Sequence, residues 1–159
     1  MTLYSIFVAD KKLNEVDCTG IDYVTVREMK KMYPISEHFP EQSWHSMDDD
    51  VQILHAPDEA AFGKLHVFQW EIPPYDLAHY SDKAFIYGIE GNWNADFVSD
   101  LLDYMKEQLS PEQNVELLRF WAGDYPLRKL KMRTIPINEL NLAQLQEIEG
   151  EEYIRVQLV

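Results

Sequence analysis

Cysteine is almost absent from this 159-residue chain, in which Cys18 is the only one. A single cysteine excludes an intramolecular disulfide and the paired cysteine spacings of structural zinc sites. Cys18 also follows Asp17 directly, and a neighbouring carboxylate raises the pKa of a thiol instead of activating it. The sequence therefore predicts neither a disulfide framework nor a cysteine nucleophile.

Long apolar runs are also missing. Runs such as residues 84–89 are far shorter than the ~18 residues that a membrane-spanning helix requires. The first apolar stretch ends at Asp10, Lys11 and Lys12, and no basic segment precedes it as in a signal peptide. We therefore expect a soluble, cytoplasmic protein without a membrane partner.

Basic residues are scarce: 14 lysines and arginines stand against 28 aspartates and glutamates, for a formal net charge of −14. The acidic excess is spread over the chain, with −8 in residues 1–80 and −6 in residues 81–159. Nucleic acids and anionic lipids bind clustered lysine and arginine, so we expect neither as a partner. The charge would attract a basic protein at long range, although solubility alone also explains it.

Catalytic and metal-binding motifs are not found either. The five histidines lack the spacing of a zinc site, and no Gly-x-Ser-x-Gly sequence occurs. Asp48–Asp50 lacks the glycine and spacing of a calcium loop. Gly88–Asn94 leads into a helix, but without a Gly-Lys-Ser/Thr sequence and with Glu90 nearby. We expect no metal and no cofactor, and we favour a protein that is not an enzyme.

The periodicity of apolar residues predicts one α+β domain over residues 1–159. Its sheet is expected to be mixed and largely antiparallel, with about six or seven strands and two or three helices packed on one face. Capping signals start helices at Thr25, Asn94 and Asn141, although residues 23–26 also fit a strand. The predicted strands cover residues 3–9, 51–55, 64–72, 83–90, 115–121, 129–137 and 153–158.

Three local predictions accompany this fold. Within residues 64–72, the face with His66, Phe68, Trp70 and Ile72 is expected to be the core side. The basic cluster Arg128–Arg133 is interpreted as an edge strand that lysine protects from aggregation, in preference to a nucleic-acid site. A turn is expected at residues 123–126, where glycine and proline occur together.

Residues 34–50 form the least regular stretch, and a loop of this length is often functional. A large aromatic residue beside carboxylates is typical of a binding hot spot with charges that steer the partner. The alternative is that the tryptophan packs down and anchors the loop. The predicted partner-binding residues are Glu41, Trp44, His45, Asp48, Asp49 and Asp50.

These patterns favour an acidic, non-enzymatic protein-binding module, such as an immunity- or antitoxin-type inhibitor of a basic partner. The alternative is a small hydrolase or isomerase with a histidine–carboxylate site, in which His45, His55 or His79 acts as the base. A third hypothesis is a carbohydrate- or ligand-binding domain that uses an exposed tryptophan.

Overall fold

The chain forms two compact units in the computed structural model, which describes residues 2–74, 77–123 and 128–159. The first unit comprises residues 1–18 and 63–159, and the second comprises residues 19–62. The expectation of one domain over residues 1–159 stays a prediction, and each unit is described separately below.

The described residues contain nine strands and three helices. In chain order the strands are β1 (Thr2–Ala9), β2 (Val16–Asp17), β3 (Asp22–Thr25), β4 (Gln52–His55), β5 (His66–Gln69), β6 (Phe85–Glu90), β7 (Glu116–Ala122), β8 (Lys131–Ile135) and β9 (Ile154–Leu158). The helices are α1 (Val26–Met32), α2 (Ala95–Gln108) and α3 (Leu142–Glu149). In the described part of the chain, no helix is both long and apolar enough to cross a membrane.

The first unit is built on a seven-stranded sheet with the order β2-β5-β6-β1-β7-β9-β8. Every neighbouring pair is antiparallel except β8 and β9, which run parallel. The predicted α+β class, with a mixed and largely antiparallel sheet, is confirmed.

Helices α2 and α3 pack on one face of this sheet. Asn94 begins α2 by accepting a hydrogen bond from the backbone N–H of Phe97 at 3.0 Å, and Asn141 begins α3 in the same way through Gln144. The buried side of α2 carries Phe97, Val98, Leu101, Tyr104 and Met105, which join Leu145 and Ile148 of α3 in the main core. The predicted capping signals are therefore confirmed as helix starts.

A second apolar layer covers the opposite face of the sheet. Ile6 and Val8 of β1 and Leu118 and Phe120 of β7 are fully buried there. The ring of Tyr80 lies 4.7 Å from that of Phe120 and helps to close this layer. Because both faces of β1 and β7 are buried, Ile6–Ala9 of β1 form a continuous apolar run instead of an alternating pattern. The corresponding run of β7, from Leu117 to Ala122, is interrupted by the buried Arg119.

The predicted core side of β5 is wrong. Leu65 and Val67 face the main core and are at most 1% exposed, whereas Ile72, on the predicted core side, is 86% exposed. Trp70 packs against Tyr4 in the second layer, with ring centroids 5.5 Å apart. The two apolar layers explain the error. Large apolar side chains pack on both faces of this sheet, so their presence on one face of a strand does not identify the side of the main core.

β8 is an edge strand, as predicted, but it begins at Lys131, so that residues 128–130 of the basic cluster precede the strand. Lys131 pairs with Glu151, and the Nη2 of Arg133 lies 2.8 Å from a carboxylate oxygen of Glu147. Both basic residues belong to the edge strand, where charged side chains oppose edge-to-edge pairing. Of the turn predicted at residues 123–126, Gly123 has φ of 81°, while the other three positions lie outside the described residues.

The second unit consists of the antiparallel pair β3–β4 and helix α1. Thr25 ends β3 and also caps α1: its Oγ1 accepts from the backbone N–H of Glu28 at 3.2 Å, and a Glu28 carboxylate oxygen accepts from the Thr25 N–H at 2.7 Å. Both sequence-based interpretations of residues 23–26 are thus realised, since the strand runs directly into the helix.

Candidate functional site

Residues 48–51 are held against the first turn of α1. The backbone N–H of Val26 donates to the carbonyl of Val51 at 2.9 Å, and that of Arg27 donates to the carbonyl of Asp49 at 3.0 Å. The first N–H groups of a helix have no partner within the helix, so an adjacent chain segment can accept from them. The acidic run is therefore fixed to a helix.

Two of the three aspartates in this run form ion pairs with α1. Lys30 Nζ lies 2.7 Å from Asp49 Oδ1, and Arg27 Nη2 lies 2.9 Å from Asp50 Oδ1. The hydrogen bond from Lys30 is the main reason why the pKa of Asp49 is below its ordinary value. Asp48 takes part in none of the ion pairs of the described residues. Nowhere among the described residues do three histidine, cysteine, aspartate or glutamate side chains come together in a way that could hold a metal ion.

Trp44 lies in a short 3-10 turn, Ser43–Ser46, and is half-buried. Its ring stacks on that of His45, with centroids 3.7 Å apart, and Phe39 lies 6.4 Å from Trp44. Phe39 stacks in turn on Tyr33 at 5.3 Å. This packing favours the interpretation that Trp44 anchors the loop, while part of its surface stays accessible.

His45 is committed to two backbone hydrogen bonds. Its Nδ1 accepts from the N–H of Gln42 at 2.8 Å, which assigns the ring proton to Nε2, and Nε2 donates to the carbonyl of Tyr33 at 3.2 Å. Both ring nitrogens therefore hold the loop together. His45 therefore stabilises the conformation of this loop, and neither ring nitrogen is left with a free lone pair that could act as a base.

An open cavity of about 640 Å³ lies beside the acidic run. Lys30, Met47, Val51 and the three aspartates line it. Of the predicted site residues, the structure brings Asp48, Asp49 and Asp50 to this cavity, places Trp44 and His45 in the aromatic cluster, and leaves Glu41 exposed.

Sequence analysis missed the apolar residues of this site. Met47 and Val51 flank the aspartates and are 44% and 41% exposed. Seven of the eleven exposed large apolar side chains in the described part of the chain lie in the second unit: Tyr23, Met32, Ile35, Met47, Val51, Leu54 and Phe62. The signal that could have found Met47 and Val51 is their position on either side of the aspartates.

The histidine–carboxylate alternative has no matching pair among the described residues. His55 Nε2 lies 3.1 Å from the hydroxyl of Tyr33, and His45 is bonded to the backbone. Among the described residues, the charged side chains that line a first-unit cavity together with His79 are those of Arg128, Lys129 and Arg155. None of these contacts supplies a carboxylate that would orient a histidine base.

Cys18 lies in a groove of the first unit that Asp100, Asp103 and Glu107 also line. Burial raises the pKa of its thiol, and the carboxylates of Asp100 and Asp17 raise it further. The predicted absence of thiol activation is consistent with this environment, because a raised pKa lowers the thiolate fraction.

Comparison of the chain with protein-family models, with curated proteins and with solved structures finds no match. Only the geometry and chemistry of its own residues therefore indicate a function.

The ion pair between Asp49 and Lys30 predicts a local pH dependence. The folded-state pKa of Asp49 lies below its unfolded value of about 3.9, so the pair stabilises the fold above that pH and is lost as the pH falls through the lower folded value. We expect Lys30→Gln to raise the pKa of Asp49 in an NMR titration of the side-chain carboxyl carbons. Lys31→Gln, one residue further along α1, is the control and should leave it unchanged.

Proposed function

We propose that this chain is a non-enzymatic protein-binding module that docks a basic protein through its second unit, residues 19–62. The observation that carries the proposal is the coincidence of exposed apolar side chains and carboxylates at one place. Met47 and Val51 stand beside Asp48 at the open cavity, where they can be covered by a partner. A binding surface typically combines an apolar centre with a polar rim in this way.

The charge of the second unit supports the proposal of a basic partner. Residues 19–62 contain nine acidic and three basic side chains, and all three basic residues belong to α1. Arg27 and Lys30 are already engaged by Asp49 and Asp50. The remaining negative field accelerates encounter with a basic surface and repels acidic proteins.

The rigidity of the acidic segment favours binding. Its backbone is bonded to α1, and the stacked rings of Trp44 and His45 fix the preceding turn. A preorganised loop loses little conformational entropy when a partner docks. An immunity- or antitoxin-type inhibitor is the class that combines small size, acidity and a basic target, and we propose that class here.

The test begins with affinity capture from lysate of the source cells at about 50 mM salt, followed by purification of the captured protein and measurement of association kinetics. We expect the double variant Glu41→Gln, Asp48→Asn to lower the association rate constant by about three- to tenfold, because it removes two steering charges. The control Glu112→Gln, Glu139→Gln removes two exposed carboxylates from the first unit and should have a smaller effect.

Association should also slow steeply between about 50 mM and 500 mM salt, since steering is screened beyond a few ångströms at the higher value. Capture of no basic protein at low salt would contradict the proposal. Equal slowing by the two double variants would contradict the assignment of the docking surface to residues 19–62.

A further inference from the structure

Strand β4 of the second unit has an edge to which no strand of the described part of the chain is bonded. β4 pairs with β3 alone, in an antiparallel register that places Tyr23 opposite Leu54. In such a pair, successive residues direct their backbone N–H and C=O groups alternately toward the partner strand and away from it. The groups that point away from β3 determine what this edge can bind.

A hydrogen bond at the end of the ladder identifies the outward residues of β4. The N–H of Val26 donates to the carbonyl of Val51 at 2.9 Å, which makes these two residues a hydrogen-bonded pair. The next hydrogen-bonded position along β4 is Ile53. Gln52 and Leu54 lie at the alternate positions, so their N–H and C=O groups point away from β3.

The two edges of this pair of strands differ. On β3, the outward N–H of Thr25 donates to a Glu28 carboxylate oxygen at 2.7 Å. On β4, the backbone groups of Gln52 and Leu54 make no hydrogen bond to any residue that the structure describes, and both residues are exposed. Unpaired N–H and C=O groups at an exposed edge are a template for pairing with another chain. The edge of β4 is therefore the one to which a strand can add.

One face of the pair is apolar and accessible. Tyr23 and Leu54 lie directly opposite each other and are 64% and 52% exposed. Residues directly opposite each other in an antiparallel ladder place their side chains on the same face, where they contact each other. A strand added to β4 would therefore extend this face if its residues opposite Leu54 and Gln52 were apolar.

Carboxylates lie beyond both ends of β4. Asp48 precedes the strand and Glu59 follows it, both are exposed, and neither takes part in an ion pair with a described residue. A segment that is apolar in its middle and basic at its ends complements this edge in charge. A second copy of this chain does not, because each copy has a net charge of −14 and the two would repel each other.

We propose that β4 binds an extended segment of a basic protein as an added antiparallel strand, with apolar side chains beside Tyr23 and Leu54 and lysine or arginine at the ends. This proposal rests on the docking function proposed above and names the binding mode. Backbone hydrogen bonds supply the affinity in strand addition, and alternate side chains supply the specificity. Antiparallel pairing is the more stable arrangement per residue.

The experiment titrates the full chain with the blocked peptide Lys-Lys-Val-Thr-Val-Thr-Lys-Lys and follows the NMR signals of the backbone amides. We expect saturable binding in about the millimolar range, with the largest shifts at Gln52 and Leu54. Hydrogen exchange of the same two amides should slow, because the added strand accepts hydrogen bonds from them. The peptide Glu-Glu-Val-Thr-Val-Thr-Glu-Glu should bind at least about tenfold more weakly, because its charge is reversed.

N-methylated peptides test the backbone pairing itself. In the proposed register the N–H groups of the two valines point toward β4, and those of the two threonines point away from it. N-methylation of both valines should therefore weaken binding at least about tenfold, because it removes the donors of the added strand. N-methylation of both threonines is the matched control and should change affinity less than about threefold.

A variant of the chain tests the same edge. Leu54→Pro removes the outward N–H without removing a hydrogen bond to β3, and it should weaken binding of the lysine peptide about tenfold. Leu142→Pro is the control: it replaces another exposed leucine, at the first position of α3, where proline is well accepted, and should leave affinity unchanged. If Leu54→Pro does not fold, Leu54→Lys should weaken binding by adding a like charge beside the peptide.

Four results would overturn strand addition at β4. One is the absence of saturation up to tens of millimolar peptide, and another is equal binding of the two N-methylated peptides. A third is a set of shifts confined to Met47 and Asp48, which would leave docking of a basic segment at the cavity in place. The fourth is a change of the Gln52 and Leu54 signals with protein concentration alone, which would show that a second copy occupies the edge. Failure of the docking function is distinguished from these results, because it appears as capture of no basic protein from the lysate.

Discussion

Replacing Glu116 with glutamine should lower the free energy of unfolding by about 3 kcal/mol. The carboxylate is almost fully buried and makes two parallel hydrogen bonds to Arg155. Glutamine retains one acceptor oxygen but removes the charge, and the guanidinium is then left partly buried without its counter-ion. Removal of one partner from a buried pair costs much more than the pair itself contributes, because the remaining charge stays desolvated. Chemical denaturation measures the effect.

Two further variants test this explanation. Glu112→Gln changes an exposed carboxylate nearby in the sequence and should alter stability by less than about 0.5 kcal/mol. The double substitution Glu116→Leu with Arg155→Met removes both charges together and should recover most of the lost stability. A double variant as unstable as Glu116→Gln would show that packing, and not the uncompensated charge, is responsible.

Replacing Gly91 with alanine should destabilise the protein by about 3 kcal/mol or more, the sum of backbone strain and overpacking. Gly91 connects β6 to the start of α2 and has φ of 136°, which a residue with a side chain rarely adopts. An added Cβ would also lie 2.5 Å from the ring of Phe97 and 2.7 Å from the carbonyl oxygen of Lys64. Neither the buried ring nor the backbone can move away cheaply.

Gly150→Ala is the matched control for this substitution. Gly150 ends α3 with φ of −68°, and an added Cβ would come no closer than 3.6 Å to its neighbours. Alanine is therefore expected to be neutral or slightly stabilising there, because it restricts the unfolded chain. Equal destabilisation by the two variants in thermal or chemical unfolding would refute the steric explanation for Gly91.

The helix starts could be predicted from the sequence because capping is local. Thr25, Asn94 and Asn141 each accept a hydrogen bond from a backbone N–H three residues later. Donor and acceptor therefore lie within one helical turn, and no distant residue is needed to form the cap. The approximate positions of seven of the nine described strands also followed from short apolar runs, whereas the two-residue strand β2 was not predicted.

The burial of β5 could not be predicted in the same way. Alternation distinguishes two faces of a strand, but it indicates the core side only when the other face is exposed to solvent. Here Val67 enters the main core while Trp70 enters the second layer. The existence of two layers depends on contacts between residues far apart in the sequence, such as Tyr4 with Trp70.

The candidate site was predicted in part. The acidic run and Trp44 can be recognised directly in the sequence. The ion pairs of Asp49 and Asp50 cannot, because their partners lie in α1, about twenty residues earlier in the chain. The stacking of Trp44 on His45 depends on the turn that Gln42 closes. Local composition therefore located the segment, and the folded chain determined which of its charges and rings stay available.

The two ends of the second unit leave the sheet at neighbouring points. Cys18 directly precedes the unit, and its backbone N–H donates to the carbonyl of Leu65 at 2.8 Å, three residues beyond the last residue of the unit. The segment thus occupies the place of a hairpin loop between the paired strands β2 and β5. Lengthening a loop costs little free energy once its ends are fixed, and the strand register need not change. Evolution could therefore vary or exchange these 44 residues while the seven-stranded framework stayed the same.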